Sequence, residues 1–225
     1  MPAGRDAARH SQRISTLLAQ ATRFLGNPPE KVSLLDVGCS SGSLLLVARA
    51  RGFGNIRGVD PAISAAKTAS SHGFEIHAGL LHEAQYPDSS FDIITLFEVI
   101  EHLTNPLELA HEIHRLLRPG GIWLFSTGNA HSWTAHILKE RWTFFSIQCH
   151  GGHISFFSPE SVQQLASMTG FTVRKIQTRR VILTEKGLVD PIRYRVLKLL
   201  SEILALPASI SGNGHQMYAY LQKQA

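Results

Sequence analysis

Cysteine is scarce in this chain: there are two in 225 residues, Cys39 and Cys149. Two thiols make no disulfide framework, and a reducing, cytoplasmic setting is the default expectation. Long apolar runs are also missing, since none reaches the ~18 residues of a membrane span. No tract packs lysine and arginine together with interleaved aromatics, so nucleic acid is not expected as a partner. The net charge of +5 tolerates an anionic partner without demanding one. Repeats and low-complexity segments are absent as well. Glycine, finally, is missing where a dinucleotide fingerprint needs it: of positions 38, 40 and 43, the last two hold Ser40 and Ser43.

What is present suffices for one large globular domain, at 44% hydrophobic. The stretch from Leu34 to Leu45 organises it. Val32, Leu34, Leu35 and Val37 read as a short buried strand. Gly38 and Gly42 bracket a turn where backbone approaches a ligand closely. Leu44 to Ala48 begin a helix whose free N–H groups point back at that turn. Together these make a nucleotide-cofactor crevice at the carboxyl end of a strand.

About one strand–helix–strand unit later, Ile56 to Asp60 reads as a second strand ending in an acid. One carboxylate there accepts from both hydroxyls of a ribose. Helices and strands then alternate: helix 61–70, strand 74–77, strand 91–97, helix 106–117 and strand 122–126, followed by helix 158–170, strand 171–178 and strand 216–221. Asn105, Pro106 and Glu108 supply an N-cap, a first-turn proline and a first-turn acid for the helix after the fourth strand. Near the N-terminus, Ile14, Leu17, Leu18, Ala21 and Leu25 recur at helical spacing, while residues 1–8 read as disordered.

The acid-x-Gly-x-x-x-Gly pattern of Asp36, Gly38 and Gly42, the strand ending at Asp60, and the run 91–126 resemble class I S-adenosylmethionine-dependent methyltransferases. The likeness covers residues 32–129 and is most similar to the ubiquinone-biosynthesis O-methyltransferase-like group. It implies a Rossmann-like, doubly wound α/β fold: a seven-stranded sheet with its last strand antiparallel and helices on both faces. It implies S-adenosyl-L-methionine as cofactor and methylation of an oxygen on a small, phenol- or sugar-like metabolite. It places Asp36 beneath the loop, near the methionine ammonium, with further cofactor contacts from Gly38, Cys39, Ser40, Gly42, Asp60, Pro61, Phe97 and Glu98. Ser40 stands where relatives often carry glycine. Leu80 and Leu81 stand where relatives often carry an acid that reads adenine, leaving backbone groups and apolar packing for that contact. The alternatives are an RNA 2′-O-methyltransferase using a Glu-x-x-Glu-His metal site, and a non-catalytic, cofactor-binding regulatory protein.

Glu98, Glu101 and His102 fall at i, i+3 and i+4, which share one face of a helical turn. With His153 they form a candidate site for a divalent ion, magnesium or manganese. A structural role for the Glu-His pair is the competing reading. His102, His150 and His153 are the candidate general bases, and His153 is the best placed. The division expected is an N-terminal helical segment over 1–30 and a methyltransferase domain over 31–225. Within the latter, 130–157 reads as a substrate lid and 180–213 as a helical insertion before the last strand. In that insertion, residues 191–206 set Ile192, Val196, Leu199, Leu200, Ile203 and Leu204 among Arg193, Arg195, Lys198 and Glu202. This pattern suits packing on the sheet, contact with a hydrophobic substrate, or a peripheral membrane contact. The oligomeric state is not legible.

Overall fold

The computed structural model describes residues 2–145, 152–184 and 189–224, so Cys149 and His150 lie outside the described residues. In chain order the elements are α1 (Pro2–Leu25), β1 (Ser33–Val37), α2 (Ser43–Ala50), β2 (Asn55–Asp60), α3 (Ile63–Ser71), β3 (Glu75–Ala78) and β4 (Phe91–Phe97). Then follow α4 (Pro106–Leu116), β5 (Leu117–Gly128), α5 (Trp133–Leu138), α6 (Pro159–Met168), β6 (Phe171–Arg179), α7 (Pro191–Ile210) and β7 (Gln216–Lys223).

The strands form one seven-stranded sheet in the order β3-β2-β1-β4-β5-β7-β6. β1 pairs in parallel with both β2 and β4, and β7 runs antiparallel to both β5 and β6. This is the sheet that the sequence motifs imply. The strand order reverses at β1 and β4, and a crevice opens outside their carboxyl ends.

Alternation along each strand divides the core between the two sheet faces. Leu35, Ile94, Trp123 and Phe125 face one layer with Ile113 and Leu116 of α4 and Val162 and Leu165 of α6. Leu34, Ile93, Ile122 and Leu124 face the other, with Leu17, Leu18 and Ala21 of α1 and Leu44, Leu45 and Ala48 of α2. Neighbours such as Leu34 and Leu35 therefore serve opposite layers. That is why the central strands read as nearly continuous apolar runs.

Three local expectations change. Helix α1 begins at Pro2, not near Ser11, because Ala7 and Ala8 are strong helix formers and no breaker follows Gly4. Strand β5 begins at Leu117, which pairs with Phe91 instead of ending the preceding helix. Helix α7 runs through Pro207 to Ile210; this proline sits in the closing turn, where one missing N–H interrupts little of the ladder.

Candidate functional site

The loop after β1 is built by its backbone. Gly38 and Cys39 both donate their N–H groups to the Val59 carbonyl, at 2.8 and 3.1 Å. Gly38 has φ +74°, and a Cβ there would meet Val99 Cγ2 at 2.5 Å. Glycine is thus required by conformation and by space. Ser40 also lies in the left-handed region, at φ +48°, which accounts for the glycine that relatives often carry at this place.

The two strand-end acids do different work. Asp60 holds the loop: Ser40 N–H donates to its Oδ2 at 2.7 Å and Ala62 N–H to its Oδ1 at 2.8 Å. Each oxygen retains a second lone pair for a ligand hydroxyl. Asp36 is buried, and the Thr95 hydroxyl donates to its Oδ1 at 2.6 Å. Burial pushes its pKa up to about 7, against the Thr95 bond and with help from the Asp60 charge. Thr95 escaped the sequence reading, although a threonine inside an apolar strand was a signal. Cys39 is buried as well, and its thiol rises to about 12, through burial first and the charges of Asp36 and Asp60 second. It packs and does not react.

Pro61 is exposed beside Asp60, and Phe97 is half-buried with its ring edge-on to Tyr218. Leu80 is half exposed, with its N–H donated to Glu83 Oε2 at 2.6 Å. Leu81 is buried in the core layer beneath. Both border a cleft of about 530 Å³ whose other wall includes Leu103, Asn105 and Glu108.

At the end of β4 the chain makes a strained turn. Glu98 has φ +54°, an uncommon state for a side chain of this size. Its N–H donates to the Ser126 carbonyl, and its Oε1 accepts from Ser126 Oγ at 2.7 Å and Gln216 Nε2 at 3.2 Å. Arg13 of α1 donates to Gln216 Oε1 and to the Tyr218 hydroxyl, both at 3.3 Å, extending this polar chain to the N-terminal helix.

The short 3-10 turn Ile100–His102 follows. Segment 152–157 is pinned across it: Ile154 and Ser155 donate their N–H groups to the Glu101 carbonyl, and Ser155 Oγ donates to that of Leu103. This lays His153 against His102, with ring centroids 4.7 Å apart. One ligating atom each from Glu101, His102 and His153 lie within 4.8 Å of one another. Glu98 is not in this set; the turn before Ile100 is not helical, and its carboxylate is held by Ser126 and Gln216. The expected four groups are realised as three, with the fourth alongside.

Glu101 is 1% exposed; neither carboxylate oxygen makes a hydrogen bond of good geometry among the described residues, although the Thr127 side chain and the Glu98 carboxylate both lie close to it. Burial, then the Glu98 charge, push its pKa up to about 8. An unpartnered buried carboxylate is costly, and a proton or a cation relieves it. His153 Nδ1 lies 3.0 Å from the Phe144 carbonyl. A carbonyl only accepts, so Nδ1 carries a hydrogen, and in the neutral ring Nε2 is then the acceptor nitrogen.

The segment after β5 is aromatic where it is described. Trp142 is buried and stacks on Phe144 at 5.0 Å, with Phe145 edge-on to it. Phe144 fits only because residue 128 is glycine, where a Cβ would strike the ring at 2.2 Å. Asn129 ties the start of this segment to the chain before β7, donating to the Gly212 and Gly214 carbonyls while its Oδ1 accepts from His131 N–H. Asn129, Gln216 and Arg13 carried no sequence signal, because their partners are distant in the chain.

A family model described as a methyltransferase domain matches residues 9–176. A ubiquinone biosynthesis O-methyltransferase of Hydrogenovibrio crunogenus is 31% identical over 157 residues, 65% of this chain and 64% of that protein. Its namesake from Psychrobacter arcticus is 29% identical over 170 residues, 70% of this chain and 65% of that protein. The chain thus spans less than two thirds of the length of these relatives. Among solved structures, a SAM-dependent methyltransferase from Archaeoglobus fulgidus superposes with a TM-score of 0.65 at 18% identity, covering 95% of this chain and 94% of that one. One from Mesorhizobium loti gives 0.64 at 16% identity, covering 91% and 96%. The glycine loop, the two strand-end acids and these matches agree: the chain belongs to the methyltransferase-domain family, with the class I S-adenosylmethionine-dependent fold.

Proposed function

We propose that this protein transfers the methyl group of S-adenosylmethionine to an oxygen of a small molecule, with Glu101, His102 and His153 managing the acceptor's proton. The observation that carries the reading is the buried Glu101 carboxylate, with no hydrogen bond of good geometry, beside two imidazoles just past the carboxyl end of β4. The names of the curated relatives point to the same reaction class.

The loop 38–42 and Asp60 would hold the cofactor's nucleoside, and Asp36 its ammonium end. The donor set of one carboxylate and two imidazoles fits manganese, iron or zinc better than magnesium, which prefers an all-oxygen set. Such an ion, when bound, lowers the pKa of a hydroxyl on it. The chain's own contribution is to hold the three groups together through the Ile154 and Ser155 bonds to Glu101. It also orients His153 through the Phe144 carbonyl, with Trp142 stacked behind Phe144. Without an ion, His153 Nε2 is the nitrogen that would accept the acceptor's proton.

Transfer of labelled methyl from S-adenosylmethionine into a panel of catechols and other phenols tests the reading. Activity is expected to stop with chelator, return with manganese, and fall sharply in Glu101→Gln and His102→Ala while cofactor still binds. If chelator has no effect and His153→Ala keeps full rate, these three groups do not manage the proton.

A further inference from the structure

Helix α7 is apolar on its outer face as well as its inner one. Its inner face, with Leu197, Ser201, Leu204 and Ala208, lies against the protein. Ser201 Oγ accepts from Leu183 N–H, and the Ala208 carbonyl accepts from Thr178 Oγ1 and Asn213 N–H. Its outer face carries Ile192, Val196, Leu199, Ile203, Leu206 and Ile210, each 54–80% exposed. At 3.6 residues per turn these six fall within an arc of roughly 80°. Isolated exposed aliphatics are ordinary, but a continuous stripe along a 20-residue helix marks a contact surface.

The charges beside the stripe narrow the choice of contact. Arg193, Arg195 and Lys198 are all exposed along its borders, and Glu202 is the helix's single acid. Arg193 has a counter-charge in Asp190, at 3.4 Å. Arg179 and Arg180 follow directly on Thr178, which bonds the C-terminal turn of α7, and both are exposed. Arg180 lies near Arg13 and Arg9, with Asp6 and Tyr218 also close. A second copy packed on this face would set the basic rim against its own likeness, with little acid to offset it. An anionic bilayer supplies both needs at once: hydrocarbon for the stripe and negative headgroups for the rim. No described helix is long and apolar enough to cross a membrane, so α7 would lie along the surface.

We propose that α7 docks this protein on an anionic lipid surface, its aliphatic stripe seated below the headgroups and Arg193, Arg195 and Lys198 at their level. The C-terminal end of the helix leads into 211–215, the segment fastened by Asn129 at the end of β5. A docked α7 therefore holds that end of the crevice near the lipid. Docking is independent of the chemistry under the lid and stands or falls separately.

The test is co-sedimentation of the full chain with vesicles of phosphatidylcholine alone, or of phosphatidylcholine and phosphatidylglycerol in equal parts. Three basic groups at the surface correspond to roughly a hundredfold preference for the anionic vesicles, and added salt should erode it. The double variant Leu199→Asp, Ile203→Asp should lose vesicle binding while its melting temperature and cofactor affinity stay unchanged, since both side chains are exposed. Arg195→Glu with Lys198→Glu should lose the preference for anionic vesicles. Wild-type protein left in the supernatant with both vesicles overturns the proposal. So does vesicle binding that survives the Leu199→Asp, Ile203→Asp change. A dimer abolished by that change, without vesicle binding, would assign the face to a second copy.

Discussion

Replacing Asp36 by Asn should make the empty protein more stable and the cofactor weaker. Burial raises the Asp36 pKa from 3.8 to about 7. Between those values the folded chain holds a proton that the unfolded chain has released. Its contribution to stability therefore declines as pH rises from about 4 to about 7, and the full cost is present above that range. At about 1.4 kcal/mol per pH unit the cost approaches about 4 kcal/mol. Asn does not ionise, and its Oδ1 still accepts from Thr95. Its Nδ2 needs a partner in the same buried place, which returns about half of the gain. A net gain of about 2 kcal/mol corresponds to a rise of roughly 4–8 °C in melting temperature at pH 8 for a chain of this size. The difference should shrink at pH 5, where Asp36 is protonated in the folded state. With Asp36 at the ammonium end, as proposed above, loss of its charge should weaken S-adenosylmethionine by about tenfold to a hundredfold. Melting curves from pH 5 to 8 and titration calorimetry read both effects. A variant that is less stable at pH 8 and binds cofactor like wild type would refute the assignment.

Gly38→Ala should cost about 3 kcal/mol, from the left-handed φ and the contact with Val99. Gly26→Ala, at φ +73° with open space around it, should cost only about 1 kcal/mol. Denaturant midpoints of the pair separate strain from crowding. Ser40→Gly relieves a left-handed serine and should leave stability unchanged or raise it by up to about 1 kcal/mol; a loss would mean that the Ser40 side chain matters. Manganese affinity should rise about tenfold per pH unit up to about pH 8, because the ion displaces a proton from Glu101. Calorimetry in buffers of different ionisation enthalpy counts that proton, and pH-independent binding would exclude Glu101 as a ligand.

The sheet was legible because parallel strands buried on both faces leave continuous apolar runs, as at 34–37 and 91–97. Asp36 and Asp60 were legible because a strand end, a glycine turn and a second strand end leave little freedom in spacing. The cluster was legible in kind but not in shape. Glu98, Glu101 and His102 share a face only if the turn is α-helical, and here Glu98 is left-handed and the turn is 3-10. That Glu101 is buried depends on bonds from Ile154 and Ser155, some fifty residues away. The chain Arg13–Gln216–Glu98 joins the two ends of the sequence, which no local pattern encodes. In α7 the aliphatic spacing showed a helix, but not which way its stripe faces.

Calorimetric titration of the wild-type protein with S-adenosylmethionine, its demethylated product and a nicotinamide dinucleotide tests the central claim most directly. The loop 38–42 with Asp36 and Asp60 predicts one site per chain for the first two, each raising the melting temperature, and none for the dinucleotide. No binding of either sulfur compound, or preference for the dinucleotide, would contradict the account.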